Sequence, residues 1–262
     1  MDIMAGGKKP DEQSLSQLPP GIALSWGIVK QPRRGPKGEL SVKKIVDAAV
    51  AIADRDGLGM VSMSRVAQSL GFTTMSLYRY LTSKEDLLTL MQDAVSVISI
   101  PPEVEGKPWR DEMKEYVWAC VAIFQQHPWY ADIPVTNVPL GPNNMAVIDW
   151  MLRIMRDFPL NEYEKMSFLL LVSSYARACG LIARDIEMAV RGGRSAETIT
   201  NVPFGPALRQ LVTPERFPYL YPLILSGAYT DEAENPVGNE LEFGLERILD
   251  GIEQYLRSKQ QQ

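Results

Sequence analysis

The stretch SMSRVAQSLGFTTMSLYRYLTSK, residues 62–84, constrains the fold of this 262-residue chain more than any other. Met63, Val66, Ala67 and Leu70 recur at helical spacing and give one short helix an apolar face. Ser62 stands just ahead of it, with a hydroxyl suited to capping the first free N–H groups. Gly71 follows the last apolar position, where a residue without a Cβ takes the left-handed conformation that ends a helix. The chain restarts at Thr73 and Thr74, with Leu77 facing inward. Helix, short glycine turn, helix is the helix-turn-helix arrangement. Its second helix is shaped to lie in a DNA major groove with its N-terminal residues on base edges. The outward residues there are Thr73, Thr74, Met75, Ser76, Tyr78 and Arg79. They supply hydroxyls, a phenol, one cation and an apolar group that fits a thymine methyl. Tyr78, Tyr80 and Lys84 are the phenols and ammonium that grip phosphate oxygens. Ser64 and Arg65, at the head of the first helix, complete the candidate DNA contacts.

Two short helices about a glycine occur in any all-helical protein, so the flanking sequence matters. KIVDAAVAIADRDGL, SMSRVAQSLG and SLYRYLTSKEDLL follow one another at fixed spacing. In that order the segment from Leu40 to Val95 closely resembles the DNA-binding domain of the tetracycline-repressor (TetR) family. The closing FGLERILDGIEQYL resembles the last helix of the TetR-type regulatory domain. The resemblance thus spans residues 40–258 and is more specific at its start. It implies an all-α fold: a three-helix DNA-binding domain with a helix-turn-helix, then a larger helical ligand-binding and dimerisation domain.

Charge agrees with that division. Residues 1–90 hold 12 Lys and Arg against 9 Asp and Glu, while the remainder holds 15 against 23. A mildly basic head on an acidic body fits a DNA-facing N-terminus. Residues 1–39 are rich in Gly, Pro, Gln and Lys and read as a disordered basic arm, with GIALSW as an apolar patch that could dock locally. Lys30, Arg33, Arg34 and Lys37 suit either a solvated linker or an arm reaching phosphates or the minor groove. Residues 40–100 form the DNA-binding domain. Its first helix runs from Leu40 to Asp56 on Ile45, Ala48, Ala49, Ile52 and Ala53, and a further helix follows the Ser83 cap. In the family that helix ties the two domains together.

PPEVEGKP opens the domain over 101–262. Helices are expected from Trp109 to Gln126, from Asn143 to Phe158, from Asn161 to Val190 and from Pro236 to Ser258. A short one is expected after Thr213-Pro214. Asn161 and Glu164 form a capping box. The helix over 162–190 is apolar nearly all round, and Leu241, Leu245, Ile248, Ile252 and Tyr255 make a heptad seam. Gly244 and Gly251, seven apart, leave room for close helix approach. Leu169, Val172, Leu241, Leu245, Ile248 and Ile252 are therefore expected at a homodimer interface.

Trp118, Phe124, Trp129, Met145, Trp150, Met151 and Tyr175 are the candidate lining of an apolar effector pocket, with Arg177 as a polar anchor. The family's founding members bind a magnesium–tetracycline complex through histidine. Here the single histidine, His127, sits in a proline-rich loop without a neighbouring ligand, so no metal and no cofactor is expected. Cys120 and Cys179 read as small core residues. No phosphate loop, nucleophile elbow or carboxylate pair stands out, and no catalytic residue is expected. No apolar run reaches bilayer length and no secretory signal opens the chain; the expected place is the cytoplasm. The expected partners are double-stranded, pseudo-palindromic operator DNA, a small apolar or aromatic effector and a second copy of the chain, with no membrane. The alternative is a helical ligand-binding or interaction protein whose DNA-binding domain has lost its use.

Overall fold

The computed structural model describes residues 15–28, 40–134, 139–193, 202–230 and 235–261, and all regular structure among them is helical. The chain divides into two compact units, Met1–Arg156 and Asp157–Gln262. The sequence places its domain boundary near residue 100. The compact unit extends further: the segments after that point are pinned to the helices of residues 42–95 by long-range hydrogen bonds.

In the first unit the helices are α1 (Pro20–Ser25), α2 (Val42–Asp56), α3 (Met63–Ser69), α4 (Thr74–Leu77), α5 (Lys84–Val95), α6 (Trp109–Gln126) and α7 (Pro142–Ile154). Three serines start three of them. The hydroxyls of Ser41, Ser62 and Ser83 accept from the backbone N–H of Lys44, Arg65 and Asp86, at 3.2, 3.2 and 3.0 Å. Such a cap is worth about 1 kcal/mol. The apolar stripe of α2 meets Val66, Ala67, Leu77, Leu81, Leu87 and Met91 in one core. Burying each of the leucines there contributes about 1.5–3 kcal/mol. α7 stops at Ile154, four residues before the expected Phe158.

Disorder through residue 39 is corrected over Pro20–Ser25. GIALSW is a helical clamp on α5, with Gly21, Ile22 and Ala23 buried. Gly21 N–H donates to Asp86 Oδ1 at 2.8 Å, and Trp26 Nε1–H donates to the Leu140 carbonyl at 2.7 Å. A Cβ on Gly21 would lie 3.0 Å from Asp86 Cα, so a side chain there would press on the α5 backbone at this close approach. The basic positions Lys30, Arg33, Arg34 and Lys37 lie outside the described residues.

The second unit holds α8 (Glu162–Arg191), α9 (Gly205–Leu211), α10 (Tyr221–Leu225) and α11 (Glu240–Lys259). Thr213-Pro214 opens a turn rather than a helix, with α9 and α10 on either side of it. α11 begins at Glu240, capped by the Asn239 side chain, because Pro236–Gly238 forms a turn. α8 and α11 run antiparallel: Glu164 and Phe168 meet Tyr255, while the Tyr175 hydroxyl donates to the Leu241 carbonyl. Gly244 makes that last contact possible, since a Cβ there would lie 2.5 Å from the Tyr175 oxygen. Gly251 faces open space instead.

The expected seam is out of phase with the core. The buried positions of α11 are Leu245, Leu249, Ile252 and Leu256, whereas Leu241 and Ile248 are half-buried and Tyr255 is exposed. Leu169 and Val172 of α8 are also buried within the single chain. Four of the six interface candidates are therefore protomer core. The apolar side chains left outside include Tyr163, Met166, Leu170 and Leu171 near the start of α8, Ile182, Ile186, Met188 and Val190 toward its end, and Phe243 and Tyr255 on α11. By length and composition α8 could cross a membrane, since an 18-residue window within it has a mean hydropathy of 1.5. That corrects the expectation that no run reaches this length.

Glu164 links the two long helices. Its carboxylate accepts from Lys259 Nζ and Tyr255 Oη, both at 2.6 Å, and from its own cap, the Asn161 N–H, at 2.8 Å. The Lys259 ammonium first, then the phenol and the cap, hold its carboxyl down at about 2. A depressed carboxyl stabilises the fold above its ordinary value of 4.5, and that stability is lost as pH falls through about 2. Lys259 is raised by the same bond, so its contribution is lost only as strong alkali strips the proton. We expect Glu164→Gln to lower the melting temperature at neutral pH and to flatten its fall between pH 4.5 and 2. Thermal melts across that range check it.

Candidate nucleic-acid interface and effector site

The reading surface is built on a buried floor. Leu77 and Leu81 are fully buried beneath α4 and the turn after it. α3 ends through a backbone pattern in which Gly71 N–H donates to the Gln68 carbonyl at 3.1 Å and Phe72 N–H to the Ala67 carbonyl at 2.9 Å. Gly71 sits at φ +74°, with open space around it, so the backbone conformation alone calls for glycine.

On this floor Thr73, Met75, Tyr78, Arg79 and Lys84 are exposed, Met75 at 73%. Thr74, Ser76 and Tyr80 are half-buried, and Tyr80 rests against the core. The Thr73 and Ser76 hydroxyls bond each other at 2.9 Å, which fixes the first turn of α4. α4 is one turn long. Ser64 is exposed at the head of α3. Arg65 differs from the rest: its guanidinium is held by Asp56 at 2.5 Å, which also binds Arg55. The Arg55 bond is the main cause holding the Asp56 carboxyl low. Arg65 thus joins α3 to the end of α2.

Three aspartates that sequence patterns leave unmarked hold this head in place. Asp86, buried in the first turn of α5, accepts from Gly21 N–H and from the N–H and hydroxyl of Thr82. It thereby fixes the loop that presents Lys84. Asp54 of α2 accepts from Trp129 Nε1–H at 2.6 Å and lies 2.8 Å from His127 Nδ1. The Asp93 carboxylate of α5 takes four bonds from α7, two from the backbone N–H groups of Asn143 and Asn144 and two from their side-chain amides, at 3.0–3.2 Å. α7 has no cap of its own, so Asp93 supplies the anion that its first turn needs. In each case at least one partner lies 50 or more residues away, beyond any local pattern.

The effector candidates divide. Trp129 is buried in the core formed with α2, α3 and α5, and its indole N–H is bonded to Asp54. Phe124 packs on Tyr130 at 5.4 Å. Trp150 and Met151 are buried on α7, where the Trp150 ring meets the edge of Tyr116 at 5.3 Å, while Trp118 and Met145 are half-buried. Tyr116 belongs with this set and was not singled out from the sequence. Tyr175 spends its hydroxyl on α11, and Arg177 is not free. A cleft of about 330 Å³ opens elsewhere in the first unit, among Ser25, Lys43, Val46, Leu90 and Val97, and no candidate lines it. Burial pushes the Cys120 thiol up to about 12 and raises that of Cys179, which leaves both inert. Among the described residues no group of metal ligands converges.

Comparison with known proteins bears on these surfaces. Residues 45–91 match the family described as bacterial regulatory proteins, tetR family, and residues 101–256 match the tetracyclin repressor-like C-terminal domain. The chain is 31% identical over 237 residues to the HTH-type transcriptional repressor DrrR1 of Streptomyces coeruleorubidus, covering 88% of this chain and 84% of that one. Among solved structures it is similar to apo ActR from Streptomyces coelicolor, with a TM-score of 0.66, 26% identity and coverage of 86% and 99%. It is also similar to ActR in complex with actinorhodin, with a TM-score of 0.65, 27% identity and coverage of 83% and 98%.

Proposed function

The chain belongs to the TetR family of bacterial regulatory proteins, as a ligand-responsive DNA-binding repressor, and from that premise we propose how its residues divide the work. Thr73, Thr74, Met75, Ser76 and Arg79 read base edges in the major groove. Tyr78, Tyr80 and Lys84 hold phosphates on either side, with Ser64 at the flank. The observation that carries this is the exposed polar set on α4 and the head of α5, standing on fully buried Leu77 and Leu81. Arg65 steadies the head through Asp56.

The regulator works as a homodimer on a pseudo-palindromic operator, since two reading heads must sit about 34–36 Å apart. The exposed apolar faces of α8 and α11 form the interface in place of the buried candidates, and they account for a long apolar helix without a membrane. Regulators of this family are in general not enzymes, and the same is proposed here. The site of action is the cytoplasm, where bacterial DNA lies. The effector is small and largely apolar or aromatic. ActR, solved with actinorhodin and with (S)-DNPA, supports a small-molecule effector.

Base and phosphate contacts separate in a binding assay. Lys84→Ala, Tyr78→Phe and Tyr80→Phe are expected to weaken binding to every sequence, with Lys84→Ala lowering the salt slope by about one. Arg79→Ala and Thr74→Ala are expected to cost about 1–3 kcal/mol and to relax preference at single base pairs. Gel shifts on the DNA upstream of the chain's own gene, at two salt concentrations, check both. An unchanged affinity and salt slope for Lys84→Ala would remove it from the interface.

A further inference from the structure

Two buried donors on α7 find no acceptor among the described residues: the indole Nε1–H of Trp150 and the guanidinium Nε–H of Arg153. Trp150 is only 3% exposed. Residues three apart are neighbours on one side of a helix, so the two donors share a neighbourhood. Buried donors are almost always bonded, and an unpaired one loses its hydration without return. Neither side chain is loose. The Trp150 ring is held against Tyr116 at 5.3 Å, and the other arm of Arg153 donates to the Pro101 carbonyl at 2.8 Å. On the same two helices Met113 and Val117 of α6 and Met151 and Ile154 of α7 are buried and apolar.

We infer that Trp150 and Arg153 form the polar contact of the effector site, and that its ligand is an aromatic compound bearing a carbonyl or carboxylate oxygen. An sp² oxygen carries two lone pairs and can accept from both N–H groups at once. The arginine charge strengthens that bond, while the surrounding apolar side chains take the ring. Arg153 thus replaces Arg177 as the anchor. The inference rests on the reading of the chain as a ligand-released repressor, and its test separates the two.

The chain has five tryptophans, so Trp150→Phe identifies the Trp150 indole signal in a ¹⁵N spectrum of the full-length protein. The probes are 2-acetonaphthone, 2-naphthoate and 2-ethylnaphthalene, of similar shape and different oxygen content. At least one oxygen-bearing probe is expected to move the Trp150 signal, and 2-ethylnaphthalene is not. Trp150→Phe and Arg153→Lys, each first checked for native helicity and melting, are expected to bind that probe about tenfold more weakly, as one lost hydrogen bond implies. Their affinity for 2-ethylnaphthalene should match wild type. A Trp150 signal that ignores both oxygen-bearing probes, or answers all three alike, would overturn the site, as would variants that bind like wild type. DNA release is scored separately. Release by a probe that leaves Trp150 unmoved overturns this site and leaves the repressor reading standing. Movement of Trp150 without release leaves the site standing and removes its role as the trigger.

Discussion

Gly141→Ala should destabilise the first unit by about 3–5 kcal/mol, because a buried carboxylate would lose its donors. A Cβ on residue 141 would lie 2.1 Å from Asp93 Oδ1 and 2.4 Å from its carboxyl carbon. Neither partner can retreat. Asp93 is buried on α5 and its carboxylate takes four hydrogen bonds from Asn143 and Asn144, and Gly141 is buried at the cap of α7. Relief requires α7 to move away, which strands both the carboxylate and the first N–H groups of the helix. Asp93→Ala should cost a similar amount by the opposite route, removing the acceptor and leaving the donors. A domain has only about 5–15 kcal/mol in total, so either variant should move the urea midpoint far while leaving the slope unchanged. Because this joint ties α5 to the helix carrying Trp150, both variants should also uncouple ligand binding from DNA release.

The second large effect concerns assembly. Leu170→Glu with Phe243→Glu should yield a folded monomer whose DNA affinity falls about 100-fold or more, since two tethered heads gain that much over one. Leu170 is 68% exposed in the single chain and Phe243 is 46% exposed, so charges there are tolerated until a second copy must cover them. Leu245→Glu should behave differently. Leu245 is fully buried in the protomer, and a carboxylate there should prevent folding rather than dimerisation. Sedimentation and circular dichroism on the three proteins distinguish these outcomes. A double variant that still sediments as a dimer would place the interface on another face.

The sequence made local features legible. Ser41, Ser62, Ser83 and the Asn161–Glu164 box act on backbone groups three residues away, so their spacing states their role. Gly71 is readable for the same reason. What stayed hidden acts over distance. Asp54, Asp86 and Asp93 look like ordinary solvent-facing helix acids, and nothing nearby shows that Trp129, Gly21 or Asn143 arrives to meet them. The helix Pro20–Ser25 is too short to announce itself and exists because α5 receives it. On α11 the series Leu241-Leu245-Ile248-Ile252 and the series Leu245-Leu249-Ile252-Leu256 have the same spacing. Periodicity reveals an apolar stripe but not whether the chain itself or a second copy covers it. The reading residues lacked that ambiguity, because polar groups beside a fully buried Leu77 have only one side to face.

The central claim is that the surface of α4 and the head of α5 read operator DNA. Fluorescence anisotropy of a labelled fragment from upstream of the chain's own gene tests it most directly, with wild type and Arg79→Ala titrated at matched salt against that fragment and against unrelated DNA. The account predicts that wild type prefers its own fragment by about 10³-fold or more, and that Arg79→Ala narrows that preference by about tenfold while still binding both. Equal wild-type affinity for the two fragments, or an Arg79→Ala preference identical to wild type, would contradict it.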